Sequence, residues 1–181
     1  MAGLSDLEFC VLGIVWKKGP CTAYTVRKEF VTSPSSHWSG SAGSIYPLMR
    51  RLDEKGLLRS SAGRKGRRPH LAYRITRTGL ATLRRWLSPP LPGGSAAITF
   101  SPLRTRMHFL KALTPRKRIA FLEDALAGLG REIGVVEEIC DRYLEEGDLF
   151  SHLASINGLL ALRSQVEWIG IVRKRLAEID P

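Results

Sequence analysis

The chain has 181 residues, 44 % hydrophobic and 25 % charged, with a formal net charge of +11 and three cysteines. This composition excludes a disordered chain. No run reaches the ~20 apolar residues of a membrane span, the first residues lack a basic region, and Cys10, Cys21 and Cys140 have neither disulfide-framework nor zinc spacing.

These features describe a soluble cytoplasmic protein with reduced thiols, no cofactor and no membrane partner. The charge is unevenly placed. Residues 1–90 carry 16 Lys and Arg against 5 Asp and Glu, whereas residues 91–181 carry 12 of each. A basic head on a neutral tail is an arrangement for meeting a polyanion.

Leu7, Val11, Ile14 and Val15 recur at helical spacing and predict a helix over residues 4–18, capped by Ser5 or Asp6 and ended by Gly19-Pro20. Thr22 caps a shorter helix to about residue 31, and a polar insert rich in Ser and Gly follows over 32–44. A third helix is expected from Ser41 or Ser44 to Lys55, stopped by Gly56, with Ile45, Leu48, Met49 and Leu52 as its buried stripe. Pro47 belongs in its first turn, which favours Ser44 as the cap. Residues 57–61 and 70–75 read as two strands joined by a long basic loop, and Thr76 caps a helix to about Leu87.

Residues 89–100 have the Pro- and Gly-rich composition of a linker. The expected domains are therefore a DNA-binding domain over 1–88 and a helical domain over 101–181. In the second, a short helix is expected over 103–112, then Thr114-Pro115 opens a long one. Ile119, Leu122, Leu126, Leu129, Ile133, Val136, Cys140 and Tyr143 form a heptad seam, broken at Gly147-Asp148. A last helix over 149–179, on the order of 45 Å long, carries Leu160, Val166, Ile169 and Leu176 among its apolar residues. Two such helices point to a second copy as the partner that covers their seams.

The order helix, helix, helix, strand, basic loop, strand, helix is the plan of a winged helix-turn-helix. The expected fold is mainly α with a small β wing, followed by a helical dimerisation arm. Candidate DNA-contacting residues are Thr22 and Tyr24 on the second helix, Ser39, Ser41, Ser44, Tyr46, Arg50 and Arg51 around the third, and Arg64, Lys65, Arg67 and Arg68 in the wing. Short hydroxyls at a helix start suit phosphate, and the wing cations suit the backbone or the minor groove.

Other chemistries lack their residues. The Ser- and Gly-rich stretch has no Gly-Lys-Ser/Thr ending, and His37, His70, His108 and His152 show no ligand spacing. No nucleophile, base or metal constellation marks an enzyme. Trp16, Trp86 and Trp168 read as core residues, and Trp168, on the arm, is also a candidate effector-site residue. The alternative function is a winged-helix interaction module binding an acidic protein, but four cations within five residues fit phosphates better.

The stretch Gly43-Ser44-Ile45-Tyr46-Pro47-Leu48-Met49-Arg50-Arg51-Leu52-Asp53-Glu54-Lys55-Gly56-Leu57 resembles the recognition helix of PadR-like transcriptional regulators. The stretches Gly66-Arg67-Arg68-Pro69 and Tyr73-Arg74-Ile75-Thr76-Arg77-Thr78-Gly79 are similar to that family's wing, and Gln165-Val166-Glu167-Trp168 to the tail of its larger subclass. The resemblance implies a homodimeric regulator, usually a repressor, whose two heads read a palindromic operator in double-stranded DNA. Some members of the family release DNA when a small aromatic molecule binds near the dimer interface, so the resemblance also implies such an effector. The linker and the insert over 32–39 are longer than the resemblance leads one to expect.

Overall fold

The computed structural model describes residues 3–33, 38, 41–65, 68–90 and 101–179, with the backbone alone at 63–65 and 68–70. The chain divides into two compact units, Met1–Ala97 and Ile98–Pro181. The linker expected over 89–100 lies, from residue 91 onward, outside the described residues.

Helix α1 (Asp6–Lys18) begins at Ser5 with a reciprocal capping box, in which the Ser5 hydroxyl accepts from the Glu8 N–H and the Glu8 carboxylate accepts from the Ser5 N–H. Strand β1 (Cys21–Thr22) leads into α2 (Ala23–Val31), whose first turn is closed by the Thr22 hydroxyl accepting from Thr25 N–H. A 3-10 turn (Ala42–Ser44) precedes α3 (Ile45–Glu54), and then come β2 (Leu58–Lys65), β3 (Arg68–Ile75) and α4 (Arg77–Leu87). The three strands form one antiparallel sheet in the order β1-β3-β2. Val11, Leu12 and Val15 of α1, Val26 and Phe30 of α2, and Ile45, Met49 and Leu52 of α3 close the core against Leu58 and Tyr73. Trp86 of α4 stacks on Phe9 of α1, with ring centroids 4.8 Å apart.

Several details depart from the sequence expectations. Strand β1 was not foreseen: it is two residues long, and only its pairing with Tyr73 and Ala72 defines it. The wing is not two short strands around a long loop. Its ladder runs from Leu58↔Ile75 to Lys65↔Arg68, which leaves two residues at the tip. An antiparallel pair needs no longer connection, and each added rung satisfies backbone groups that a loop would leave to water. Pro69 tolerates this central strand because β1 reaches only Ala72 and Tyr73, so the missing N–H costs no second ladder bond. Trp16 is not a core residue: it is 57 % exposed on the outer face of α1.

The second unit opens with α5 (Pro102–Met107) and a separate 3-10 turn (Leu110–Ala112), in place of the single helix expected over 103–112. The long helices α6 (Pro115–Glu145) and α7 (Leu149–Ile179) follow. Gly147, at φ 70, makes the turn between them, and Asp148 accepts from Ser151 N–H at the start of α7. The two helices pack as an antiparallel hairpin, so part of the seam assigned to a partner copy closes within the chain. Leu122, Leu129 and Val136 of α6 and Ile169 of α7 are buried by the hairpin itself. Leu126, Ile133, Val166, Leu176 and Trp168 are half-buried, and Ile119 and Leu160 are exposed.

Candidate nucleic-acid interface

The apolar spacing of α3 turns Ile45, Leu48, Met49 and Leu52 inward. The opposite face is thereby left to Tyr46, Pro47, Arg50 and Arg51, with Gly43 and Ser44 exposed in the preceding turn. Pro47 falls in the first turn, as its missing N–H requires. Ser44, however, does not cap the helix. Its backbone is already helical, at φ −85 and ψ −7, and its side chain makes no capping bond. The 3-10 turn supplies the entry instead, through Ser44 N–H donating to the Ser41 carbonyl.

The helix is fastened at several points. From α1, the Glu8 carboxylate accepts from Arg51 Nε at 3.3 Å and from Lys55 Nζ at 3.1 Å, while also serving Ser5. Burial pushes the Glu8 carboxyl upward, but the Ser5 N–H, the Lys55 ammonium and the Ser5 hydroxyl outweigh it and hold the group below its ordinary range. At the other end, Asp53 accepts from Ser60 N–H at 3.0 Å and from Ser60 Oγ at 2.6 Å, joining α3 to the base of β2. Gly56, at φ 69, turns the chain between them. Thr76 Oγ1 donates to the Gly56 carbonyl at 2.7 Å, which docks the start of α4 on the same turn. Helix α3, the base of the β2–β3 hairpin and the start of α4 are thus tied into one assembly.

Ser5, Gly43, Ser44, Pro47 and Arg51 line a shallow cleft of about 440 Å³ between the starts of α1 and α3. Its polar rim of hydroxyls and a guanidinium suits a backbone phosphate. On α2, Thr22 spends its hydroxyl on the helix cap, while Tyr24 is 64 % exposed. Ser41 is half-buried. In the wing, the register places Arg64, Lys65 and Arg68 on the last rungs of the ladder. Ser39 and Arg67 lie outside the described residues.

One pair was missed from the sequence. The register sets Arg59 directly opposite Arg74, and both are exposed. Like charges across a ladder oppose pairing and are relieved by an anion between them. Only the register reveals this, because the two residues are far apart in the chain. Among the described residues no group of His, Cys, Asp and Glu is placed to hold a metal ion, and no helix is long and apolar enough to cross a membrane.

Residues 11–85, which span this assembly, match the Transcriptional regulator PadR-like family. No curated protein matches the chain in sequence. Among solved structures, Bacillus subtilis PadR in complex with operator DNA is similar at a TM-score of 0.81 and 19 % identity, covering 97 % of this chain and 100 % of that one. The same protein in complex with p-coumaric acid has a TM-score of 0.73 and 19 % identity, covering 99 % of each chain. A PadR-like transcriptional regulator from Bacillus cereus has a TM-score of 0.75 and 18 % identity, covering 97 % of this chain and 100 % of that one. At these identities the likeness is one of fold, a winged helix with C-terminal helices. Residues 11–85 thus match the model of the PadR-like family of transcriptional regulators, and this part of the chain folds as a winged helix like the solved structures named above.

Proposed function

We propose that the chain is a sequence-specific, homodimeric repressor in the cytoplasm, which reads a palindromic operator and releases it when a small aromatic molecule binds. Residues 1–88 are the reading head, 89–100 the linker and 101–181 the dimerisation arm. The observation that carries the proposal is the rigid coupling of an exposed recognition face to a cationic hairpin. Ser44, Tyr46 and Arg50 are exposed on that face, and in this reading they meet base edges as the residues of a recognition helix do. Arg51 divides its guanidinium between Glu8 and the cleft, and contributes to the backbone rather than to base choice. Arg64, Lys65, Arg67 and Arg68 hold phosphates or enter the minor groove. Thr22, Tyr24 and Ser41, together with Ser39 from the sequence, are assigned to further contacts with the duplex.

The dimer is supported by apolar surface that the hairpin does not cover. Phe150 is 83 % exposed, Leu153 51 % and Leu160 58 %, at helical spacing along α7. On α6, Ile119 is exposed as well and Leu126 and Ile133 are half-buried, whereas Val166 and Leu176 pack on the arm's own core and extend the interface only at its margin. Effector release is proposed by analogy with one neighbour, Bacillus subtilis PadR, which has been solved in complex with operator DNA and in complex with p-coumaric acid. Half-buried Trp168, packed on the arm's core, is the candidate contact for such an aromatic.

Selection of bound duplexes from a random pool tests the proposal. Enrichment of an inverted repeat with half-sites about one helical turn, ~10 bp, apart is expected. A pool that stays random after repeated rounds, despite measurable binding, would overturn sequence-specific reading.

A further inference from the structure

The arm's twelve cations and twelve carboxylates are not mixed along it. Six carboxylates and a single Arg lie between residues 137 and 148, at the closed end of the α6–α7 hairpin. The open end is richer in cations: residues 101–122 hold six and no carboxylate before Glu123 and Asp124, and Arg173, Lys174 and Arg175 lie near the end of α7, where Arg175 pairs with Glu178.

This basic end is a preformed surface. Leu103 and Met107 of α5 pack against the core made by Leu122, Leu129 and Ile169, and Leu110 is buried. Arg118 donates from Nε to the Leu113 carbonyl at 3.0 Å and from Nη2 to the Lys111 carbonyl at 3.1 Å, which fixes the turn before α6. Arg106, Lys111, Arg116 and Lys117 are all exposed. Among the described residues none of the four has a carboxylate within ion-pair distance. Arg116 and Lys117 also stand in the first turn of a 31-residue helix with no acidic residue there, so they add to the positive end of its dipole. Such a concentration of like charge is unfavourable at rest and is relieved by an extended anion.

We propose that the open end of the arm hairpin is a second phosphate-contacting surface, which grips DNA backbone outside the segment read by the winged helix. The proposal rests on the DNA-binding function proposed above. Its occupant is argued from charge complementarity and from connectivity. Head and arm belong to one chain, so a duplex bound by the head is held at raised effective concentration for these cations.

The test compares the full chain with a variant carrying Arg106→Ser, Lys111→Ser, Arg116→Ser and Lys117→Ser, and with one carrying Arg106→Lys and Arg116→Lys. Affinity for a long mixed-sequence duplex is measured across salt concentrations, beside sedimentation of each protein. Four lost phosphate contacts, at ~0.9 each, should make the slope of log K against log salt shallower by about 3.6 per protomer. The Lys variant should keep the wild-type slope, because it keeps the charge. Two results overturn the proposal while leaving the head's function intact: wild-type protein binding DNA with a slope the Ser variant shares, or a Ser variant whose main defect is salt-dependent self-association. The second would mean that these cations face the acidic end of another copy. If wild-type protein itself ignores duplex DNA, both proposals fall together.

Discussion

Glu8→Ala removes the buried carboxylate that fastens α3 to α1. The residue is 5 % exposed and holds Ser5 N–H, Arg51 and Lys55 at once. Losing the reciprocal cap costs about 1 kcal/mol. The two ion pairs add less than their geometry suggests, because Arg51 and Lys55 are 53 % and 42 % exposed and regain water when released. The total is about 2 kcal/mol, which lowers the melting temperature of a head of this size by roughly 10 °C. Glu8→Gln keeps one acceptor oxygen and should lose about half as much. The pH dependence has a definite sign. The folded carboxyl titrates below its ordinary value of 4.5, so its contribution is complete above that pH and disappears as pH falls through the lower folded value. Calorimetry of wild type and Glu8→Ala from neutral to acid pH reads both effects. A variant melting within a degree or two of wild type at neutral pH would refute the clamp. So would a difference that grows on acidification.

Gly79→Ala should be more damaging than a surface helix position allows, by several kcal/mol and to the point of poor folding. The new Cβ would collide with the Leu57 backbone carbonyl and press on Ile75; a variant of normal melting temperature would contradict the close approach of α4 to the α3–β2 turn. Phe150→Glu with Leu160→Glu should convert a dimer to a monomer without lowering helix content, as read by sedimentation and circular dichroism. An unchanged sedimentation coefficient would remove this strip from the interface. The Cys10 thiol is pushed up to about 11 by burial, with Asp6 adding to the effect, so alkylation near neutral pH should be on the order of a hundredfold slower than in the unfolded chain. Equal rates would show the thiol to be exposed.

Much of this architecture was legible in the sequence because helices announce their ends. Ser5, Thr22 and Thr76 cap the helices they were expected to cap, and Gly56 and Gly147 stop theirs. Features set by distant partners were not legible. Glu8 looks like an ordinary first-turn acid until α3 brings residues 43 and 47 positions away onto its carboxylate. The length of the wing, the strand at Cys21–Thr22 and the Arg59–Arg74 pair all depend on register, which local pattern does not fix. The heptad seam was visible, but periodicity specifies only that a stripe is covered. Close turn geometry at Gly147 let the chain cover part of it with its own second helix.

The most direct test of the central claim is the salt dependence of duplex binding by the intact chain and by the variant Arg64→Ala, Lys65→Ala, Arg67→Ala and Arg68→Ala. With two heads on the duplex, as proposed, and ~6–10 phosphates neutralised, the wild-type protein should lose roughly three to five decades of affinity between about 50 and 200 mM salt. The variant should bind every sequence more weakly and with a shallower slope. A wild-type affinity nearly independent of salt, or a variant that binds like wild type, would contradict a function built on this cationic head.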